Sequence, residues 1–176
     1  MIVPVKLSKY IFVMGIFSLI ACSKEIPLQT VDEVDLKRFV GKWYEIASFP
    51  QRFQKNCYNT SATYTLSDKG YIIIENRCNK GSIDGKESYI KGKAFADGIG
   101  SNARLKVQFF WPFKGKYWII DLAEDYSYAV VGHPNRKYLW ILSRTPHLDE
   151  ELYLKLVDRI GENNFDISKL IKTKHG

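Results

Sequence analysis

The side chains that could do acid–base or metal chemistry in this chain are few and scattered. His133, His147 and His175 lie far apart, and two of them adjoin prolines in predicted turns. This spacing provides neither a set of metal ligands nor the partners of a catalytic triad, so we interpret the histidines as surface residues. Glu45 would share one face of a strand with Trp43, where a buried carboxylate needs a partner such as a tyrosine or an arginine. No nucleophile stands near Glu45, so the sequence predicts a protein that is not an enzyme and needs no metal or cofactor.

The first cysteine, Cys22, follows a short apolar run near the N-terminus. Two lysines precede this run, Tyr10–Ile20, which is shorter than the roughly 20 residues that span a bilayer. The pattern predicts an export signal peptide over residues 1–21. The segment Leu19-Ile20-Ala21-Cys22 resembles the lipobox of bacterial lipoproteins, which implies lipidation of Cys22 with acyl chains such as palmitate. Ser23 in the next position implies sorting to the outer membrane, whereas an ordinary secretory peptide with an incidental cysteine is the alternative.

The other two cysteines, Cys57 and Cys78, form an even pair in an exported, oxidising setting. Cys57 begins the second predicted strand and Cys78 ends the third, with the turn Ser67-Asp68-Lys69-Gly70 between them. Folding this hairpin brings the two cysteines nearly opposite each other, at a spacing that suits a disulfide. We expect a bridge that stabilises the fold by about 3 kcal/mol on the chain-entropy model. Two free buried thiols are the alternative.

The elements that must position these groups are short strands rich in aromatic and β-branched residues. Eight are predicted, at Trp43–Ser48, Tyr58–Leu66, Tyr71–Arg77, Ser88–Ala96, Arg104–Phe110, Tyr117–Leu122, Tyr128–Val131 and Tyr138–Ser143. Short consecutive strands indicate an all-β, antiparallel up-and-down meander, and eight of them can close into a β-barrel that holds one small ligand.

A helix is predicted on either side of this meander. The first is a single turn at Asp35–Phe39 that closes one end of the sheet. The second begins with Thr145 as its N-cap and Pro146 at its first position, and ends at Gly161. Leucine or isoleucine recurs at every fourth position of this helix, at Leu148, Leu152, Leu156 and Ile160. We expect this stripe to pack on the outside of the barrel, because the acidic residues of the helix would oppose an anionic lipid surface; a membrane or partner module is the alternative.

Composition limits the domain count and the class of partner. The chain has 176 residues, 45% of them hydrophobic, which suits one domain over residues 35–176, joined to the anchor by a short polar tether at 22–34. The formal charge is +7, and removal of Lys6 and Lys9 with the signal peptide lowers it to +5. This excess suits an anionic ligand or lipid surface. No nucleic-acid partner is expected, because the basic residues are scattered over many loops.

The motif Gly41-Lys42-Trp43-Tyr44-Glu45-Ile46-Ala47 is the strongest sign of a family. With Phe49-Pro50-Gln51-Arg52-Phe53, the strand Asn59–Leu66 and the segment Tyr138–Pro146, it resembles the lipocalin family, and within it the bacterial outer-membrane lipocalins, relatives of apolipoprotein D. The resemblance covers Asp35–Lys172 and implies that Trp43 lies inside the closed end of the barrel with Arg144 packed across it.

Side-chain alternation from the family's inward positions indicates which residues line the lumen. We expect the following residues to contact a ligand: Ala62, Tyr64, Ile72, Ile74, Ile90, Ala94, Val107, Phe109, Tyr117, Ile119, Ala129, Val131, Tyr138 and Trp140. The same alternation turns Leu105 and Leu142 inward. Alanines at three of these positions argue against a filled barrel, and complete filling by side chains is the alternative.

Strand direction places four loops at the mouth of the barrel, at 51–56, 79–86, 111–116 and 133–137. They carry eight lysines and arginines against one acid, Asp84, whereas the opposite rim is acidic. A basic rim around an apolar pocket suits a ligand with an apolar tail and an anionic head, or a mouth turned toward anionic lipid. Lysines that serve only solubility are the alternative.

The sequence therefore predicts a lipid-anchored outer-membrane lipocalin, a monomer or homodimer. It would bind fatty acids or lysophospholipids for storage, transport or envelope maintenance, and would contact the membrane through Cys22. One alternative is a lipid-modifying enzyme that uses Glu45 and lumen tyrosines. Another is an envelope scaffold with a filled barrel, which the aromatic loop Phe110-Trp111-Pro112-Phe113 would support.

Overall fold

A closed antiparallel sheet dominates the computed structural model, which describes residues 26–97 and 101–176. Its strands are β1 (Gly41–Ser48), β2 (Cys57–Leu66), β3 (Ile72–Lys80), β4 (Lys86–Ala96), β5 (Arg104–Gln108), β6 (Gly115–Leu122), β7 (Tyr128–Gly132) and β8 (Leu139–Ser143). Each strand pairs with the next, and β1 pairs with both β8 and β2, which closes the sheet. The predicted eight-stranded up-and-down barrel is confirmed.

The hairpin turn between β2 and β3 illustrates how local sequence sets the register. Gly70 adopts a positive φ of 77°, which glycine reaches without steric cost, and its N–H donates to the Ser67 carbonyl at 3.0 Å. The pairing that follows sets Leu66 opposite Ile72 and Tyr64 opposite Ile74. Tyr64, Ile72 and Ile74 therefore share the inner face of the barrel, where all three are buried.

Two hydrophobic clusters lie on opposite faces of the barrel wall. The inner cluster fills the closed end around Phe39 and Trp43, and the short helix α1 (Leu36–Phe39) lies there as predicted. The outer cluster lies between the sheet and helix α2 (Glu150–Glu162) and includes Ile46, Leu139, Ile141, Tyr153, Leu156 and Ile160. The predicted packing of α2 on the outside of the barrel is confirmed.

The predicted start of α2 is wrong. The helix begins at Glu150 and not at Pro146, because the Asp149 carboxylate accepts a hydrogen bond from the Leu152 N–H at 3.0 Å and caps the first turn. The Thr145 hydroxyl instead donates to the His147 carbonyl at 2.6 Å and holds a turn ahead of the helix. Helix α2 then runs one residue past the predicted end at Gly161 and stops at Glu162.

The C-terminal segment completes the wall between β1 and β2. These two strands pair only from Gly41 to Tyr44, and beyond that point the short strand β9 (Ile171–Lys172) pairs with Ala47 and Ser48. The Lys174 carbonyl then accepts a hydrogen bond from the Asn59 N–H of β2 at 2.9 Å. The tail at residues 171–176 thus bridges the seam between β1 and β2. The sequence did not predict this feature, because β9 has only two residues and shows no alternating pattern.

The N-terminal segment of the described chain also packs on the barrel. Leu28 lies in the outer cluster and Val34 in the inner one, and both are buried. Residues 28–34 of the predicted tether are therefore part of the folded body. No helix in the described part of the chain is long and apolar enough to cross a membrane.

Candidate functional site

The closed end of the barrel is held by Arg144, which follows β8. Its guanidinium lies over the Trp43 ring at 3.8 Å from the centroid. It also donates to the carbonyls of Arg38, Phe39, Val40, Lys42 and Tyr126 at 2.7 to 3.2 Å. The Trp43 indole donates to the Phe39 carbonyl at 2.7 Å. The structure thus has the Trp43–Arg144 contact that the resemblance implied.

Gly41 allows the guanidinium to come this close. Its φ is +101°, a backbone conformation that is strained for any residue with a Cβ. A Cβ at this position would also lie 3.2 Å from Arg144 Nη1. Tyr44, the other signature residue of this strand, faces outward, where its ring packs on His175 at 5.9 Å between centroids. We therefore assign Gly41 to the closed end of the barrel and Tyr44 to the seam between β1 and the tail.

The floor of the lumen is a pair of buried tyrosines. Their hydroxyl oxygens share a hydrogen bond of 2.7 Å across the barrel, between Tyr64 and Tyr117. Burial raises the pKa of Tyr64 to about 12 and the pKa of Tyr117 well above its usual value. Both phenols therefore stay neutral at physiological pH and offer the lumen an aromatic, uncharged floor.

Above this floor lies a cavity of about 440 Å³, within the range of roughly 300 to 1,000 Å³ that is typical of small-molecule sites. Its walls are largely apolar and aromatic. Eight of the predicted ligand-binding residues line it: Ala62, Tyr64, Ile74, Val107, Phe109, Tyr117, Tyr138 and Trp140. Their role in binding stays a prediction, but their positions form one continuous apolar surface.

The other six predicted residues do not line the cavity. Five of them, Ile72, Ala94, Ile119, Ala129 and Val131, are buried in the inner cluster and do not border the cavity. Ile90 on β4 is half-buried and belongs to neither group. Alternation along a strand identifies the face but not the depth along the barrel axis, and the lower half is filled. Ala94 and Ala129 therefore pack in the core and do not enlarge the cavity, contrary to our expectation.

Glu45 lines the cavity, but its carboxylate is already engaged. It is 6% exposed, and it accepts hydrogen bonds from Gln54 Nε2 at 2.7 Å, Thr173 Oγ1 at 2.7 Å and Ser48 Oγ at 3.1 Å. The expected tyrosine or arginine partner is replaced by neutral donors from the mouth loop, the tail and its own strand. Three donors satisfy a buried carboxylate, so we assign Glu45 to the positioning of the tail against β1.

Residues of the β1–β2 loop also line the cavity, and they were not among the predicted ligand-binding residues. The buried Gln51 lines it, together with the half-buried Gln54 and the exposed Phe53 of the same loop. Thr60, buried on β2, also lines it. Their signal was weak, because a glutamine in a loop is normally exposed. Some of their buried side-chain atoms have no hydrogen-bond partner within the described part of the chain: Gln51 Nε2 and Oε1, Gln54 Oε1 and Thr60 Oγ1.

The expectation of three surface histidines holds only for His147, which is exposed. His133 is half-buried and lines the cavity beside Tyr138. Burial lowers the pKa of His133, and its Nδ1 accepts a hydrogen bond from the Asn135 N–H at 3.1 Å. The third histidine, His175, is also half-buried and pairs with the Glu45 backbone carbonyl at 2.7 Å.

Four of the eight cations of the predicted basic rim separate into two groups. Lys114 and Lys116 line the cavity. Lys80 instead donates to the Phe53 and Lys55 carbonyls, both at 3.3 Å, and so supports the β1–β2 loop. Arg136 donates to the Asn163 and Ile26 carbonyls. Of these four cations, only Lys114 and Lys116 border the cavity, and their ammonium groups lie over the Phe95 and Trp118 rings at 4.5 and 5.7 Å from the centroids.

The disulfide between Cys57 and Cys78 is present as predicted, with 5.4 Å between their Cα atoms. It joins β2 and β3 near the mouth. Cys22 and the predicted signal peptide lie outside the described residues. Across residues 26–97 and 101–176, no three His, Cys, Asp or Glu side chains come together as a metal site.

Comparisons with known proteins agree with this geometry. A family model described as "Lipocalin-like domain" matches residues 34–175. The chain is 44% identical to temperature-induced lipocalin-1 of Arabidopsis thaliana over 155 residues, which are 83% of this chain and 82% of that protein. It is 42% identical to the outer membrane lipoprotein Blc of Citrobacter freundii over 163 residues, 90% of each chain. Among solved structures, insecticyanin of the tobacco hornworm Manduca sexta matches with a TM-score of 0.61 and 24% identity over 85% of each chain.

Proposed function

The chain belongs to the lipocalin family, and from this premise we propose that it is a lipid-anchored protein of the outer membrane that holds single-chain amphipathic lipids in its barrel. Fatty acids and lysophospholipids are the ligand class that we assign. Lipocalins are generally binding and transport proteins, and storage, transport or envelope maintenance are the roles that fit such a site. We propose a monomer or homodimer without catalytic activity.

The observation that carries this proposal is the apolar cavity above the tyrosine floor. An acyl chain gains about 0.8 kcal/mol for each CH₂ that leaves water, before the entropic cost of binding. Val107, Phe109 and Trp140 supply apolar wall surface for such a chain. The floor is neutral and the Glu45 carboxylate already accepts three hydrogen bonds, so neither gives a partner to an anionic head. The head of the ligand therefore belongs at the mouth, beside Lys114 and Lys116.

The anchor is the second part of the proposal. We assign residues 1–21 to a signal peptide and residues 22–34 to the anchor and tether, with lipid on Cys22 and with residues 28–34 packed on the lipocalin domain at 35–176. The similarity to an outer membrane lipoprotein over 90% of both chains supports this assignment.

A cavity-filling variant tests the site. Ala62 lines the cavity, so Ala62→Phe should fill part of it and weaken binding of a fluorescent fatty acid at least tenfold. Ala96 is exposed on β4, so Ala96→Phe serves as the matched control and should bind like the wild type. Circular dichroism checks that both variants are folded. Undiminished binding by a folded Ala62→Phe variant would place the ligand outside the barrel and contradict the proposal.

A charge reversal tests the polarity of the mouth. The double variant Lys114→Glu/Lys116→Glu should weaken binding of the anionic ligand about tenfold, while a fatty alcohol of the same chain length binds as before. Lys37→Glu/Lys69→Glu makes the same change in net charge at the closed end and should have no effect. If the acid and the alcohol respond alike to both double variants, the lysines have no role in recognition.

A further inference from the structure

The most exposed apolar side chains of the molecule lie at one end. Among the described residues, the five large apolar side chains with the highest exposure are Ile26, Phe53, Phe110, Trp111 and Phe113, at 67% to 87%. The last four belong to the β1–β2 and β5–β6 loops of the mouth, and we call these four residues the mouth patch. Exposed aromatic residues in such number at one site indicate a surface that is covered by a partner.

The start of the described chain indicates what the mouth faces. The Ile26 carbonyl accepts a hydrogen bond of 2.6 Å from Arg136 Nη2, in the β7–β8 loop at the mouth. From there the chain runs to Leu28, which is buried under α2. Ile26 lies only four positions after the proposed lipidation site at Cys22, a reach of about 14 Å even when fully extended.

The barrel is longer than this tether. Strand β2 has ten residues and is about 33 Å long at the rise of a β-strand. An anchor that is fixed at the mouth end therefore holds the mouth near the bilayer and leaves the closed end away from it. Because the mouth patch lies at the same end as the tether, its aromatic side chains are the parts of the protein placed to enter the lipid.

The charges at the mouth favour the same partner. The four mouth loops carry eight lysines and arginines and one acid, Asp84. Lys114 and Lys116 directly follow the aromatic loop. Aromatic side chains at the interface with flanking lysines suit a bilayer that contains anionic lipid.

We propose that the mouth docks on an anionic lipid bilayer, with the mouth patch inserted at the interface and the cavity opening onto the lipid surface. A ligand would then pass between the membrane and the barrel without crossing water. This inference rests on the proposed anchor at Cys22, but it goes beyond ligand binding and would stand even if the assigned ligand class were wrong.

The test uses the full chain in vesicles of phosphatidylcholine and phosphatidylglycerol, with about 30% of the lipid anionic. Reconstitution attaches the protein either through acylated Cys22 or through the apolar run Tyr10–Ile20. One vesicle set carries bromine on the lipid acyl chains, which quenches tryptophan on contact, and the other set does not. The emission of Trp111 is obtained as the difference between the wild type and Trp111→Phe.

We expect brominated lipid to reduce the emission of Trp111 at least twofold. Trp118→Phe gives the matched control, because Trp118 is half-buried on the outer wall beneath Arg104 and Lys116, and its emission should be unchanged by bromination. Equal Trp111 emission in both vesicle sets would overturn the proposal. If that unquenched emission were also shifted to the blue, the mouth patch would be covered by a protein surface and not by lipid. Fatty-acid binding by the same Trp111→Phe protein shows separately whether the barrel functions.

Discussion

Replacement of Arg144 tests the closure of the barrel, on which the cavity depends. Three of its hydrogen bonds, to Phe39, Val40 and Tyr126, lie in part-buried surroundings. At about 1 kcal/mol net for each bond, and about 1 kcal/mol for the contact with Trp43, Arg144→Met should lower the free energy of unfolding by about 4 kcal/mol. The methionine keeps an apolar stem of similar reach, so the loss measures mainly the guanidinium.

Urea unfolding followed by circular dichroism measures this loss, and an unchanged m-value shows that the two-state comparison holds. Arg144→Lys keeps the charge but cannot reach all of these carbonyls with one ammonium, so it should lose about half as much. A double-mutant cycle with Trp43→Leu should give a coupling of about 1 kcal/mol. A loss below about 1 kcal/mol for Arg144→Met, or no coupling, would refute the view that this guanidinium holds the closed end of the barrel.

Three further predictions concern the walls and the seam. Replacing both Cys57 and Cys78 by serine should lower the free energy of unfolding by about 3 kcal/mol in urea, and an equal midpoint would show that the bridge contributes nothing. The raised pKa of Tyr64, about 12, means that the stability from its neutral form is fully present below pH 10 and is lost as the pH rises to about 12. Absorbance at 295 nm, which follows tyrosine ionisation, should therefore show some phenols that ionise only at high pH in the folded protein and at the usual pH in urea. Ionisation of all phenols at the usual pH in the folded protein would contradict the buried pair. Thr173→Val removes one donor to Glu45 and should speed hydrogen exchange of the Asn59 amide, which bonds the tail, whereas unchanged exchange would show that the tail holds without Thr173.

Much of the fold follows from local sequence patterns, which act over short distances. Alternating apolar residues predict the eight strands, and the hairpin turn with Gly70 places Cys57 near Cys78. The predicted start of α2 was wrong because Thr145 and Asp149 each offer a capping side chain. Only the tertiary packing decides between them.

The site was harder to predict than the fold. Alternation identified the inner face but not the level at which the barrel stops being filled, which depends on how Phe39 and Trp43 occupy the lower half. The partners of Glu45 could not be inferred, because one of them, Thr173, lies 128 residues away in the sequence. Gln51 was missed for a related reason, since loop residues become buried only when the neighbouring loops fold over the cavity.

The most direct test of a lipid-binding barrel is diffraction from crystals soaked with a brominated fatty acid. The account predicts anomalous density for bromine inside the barrel, above the Tyr64–Tyr117 pair and beside Trp140, with the carboxylate toward Lys114 and Lys116. Bromine found only on the outer surface, with the cavity empty, would contradict it.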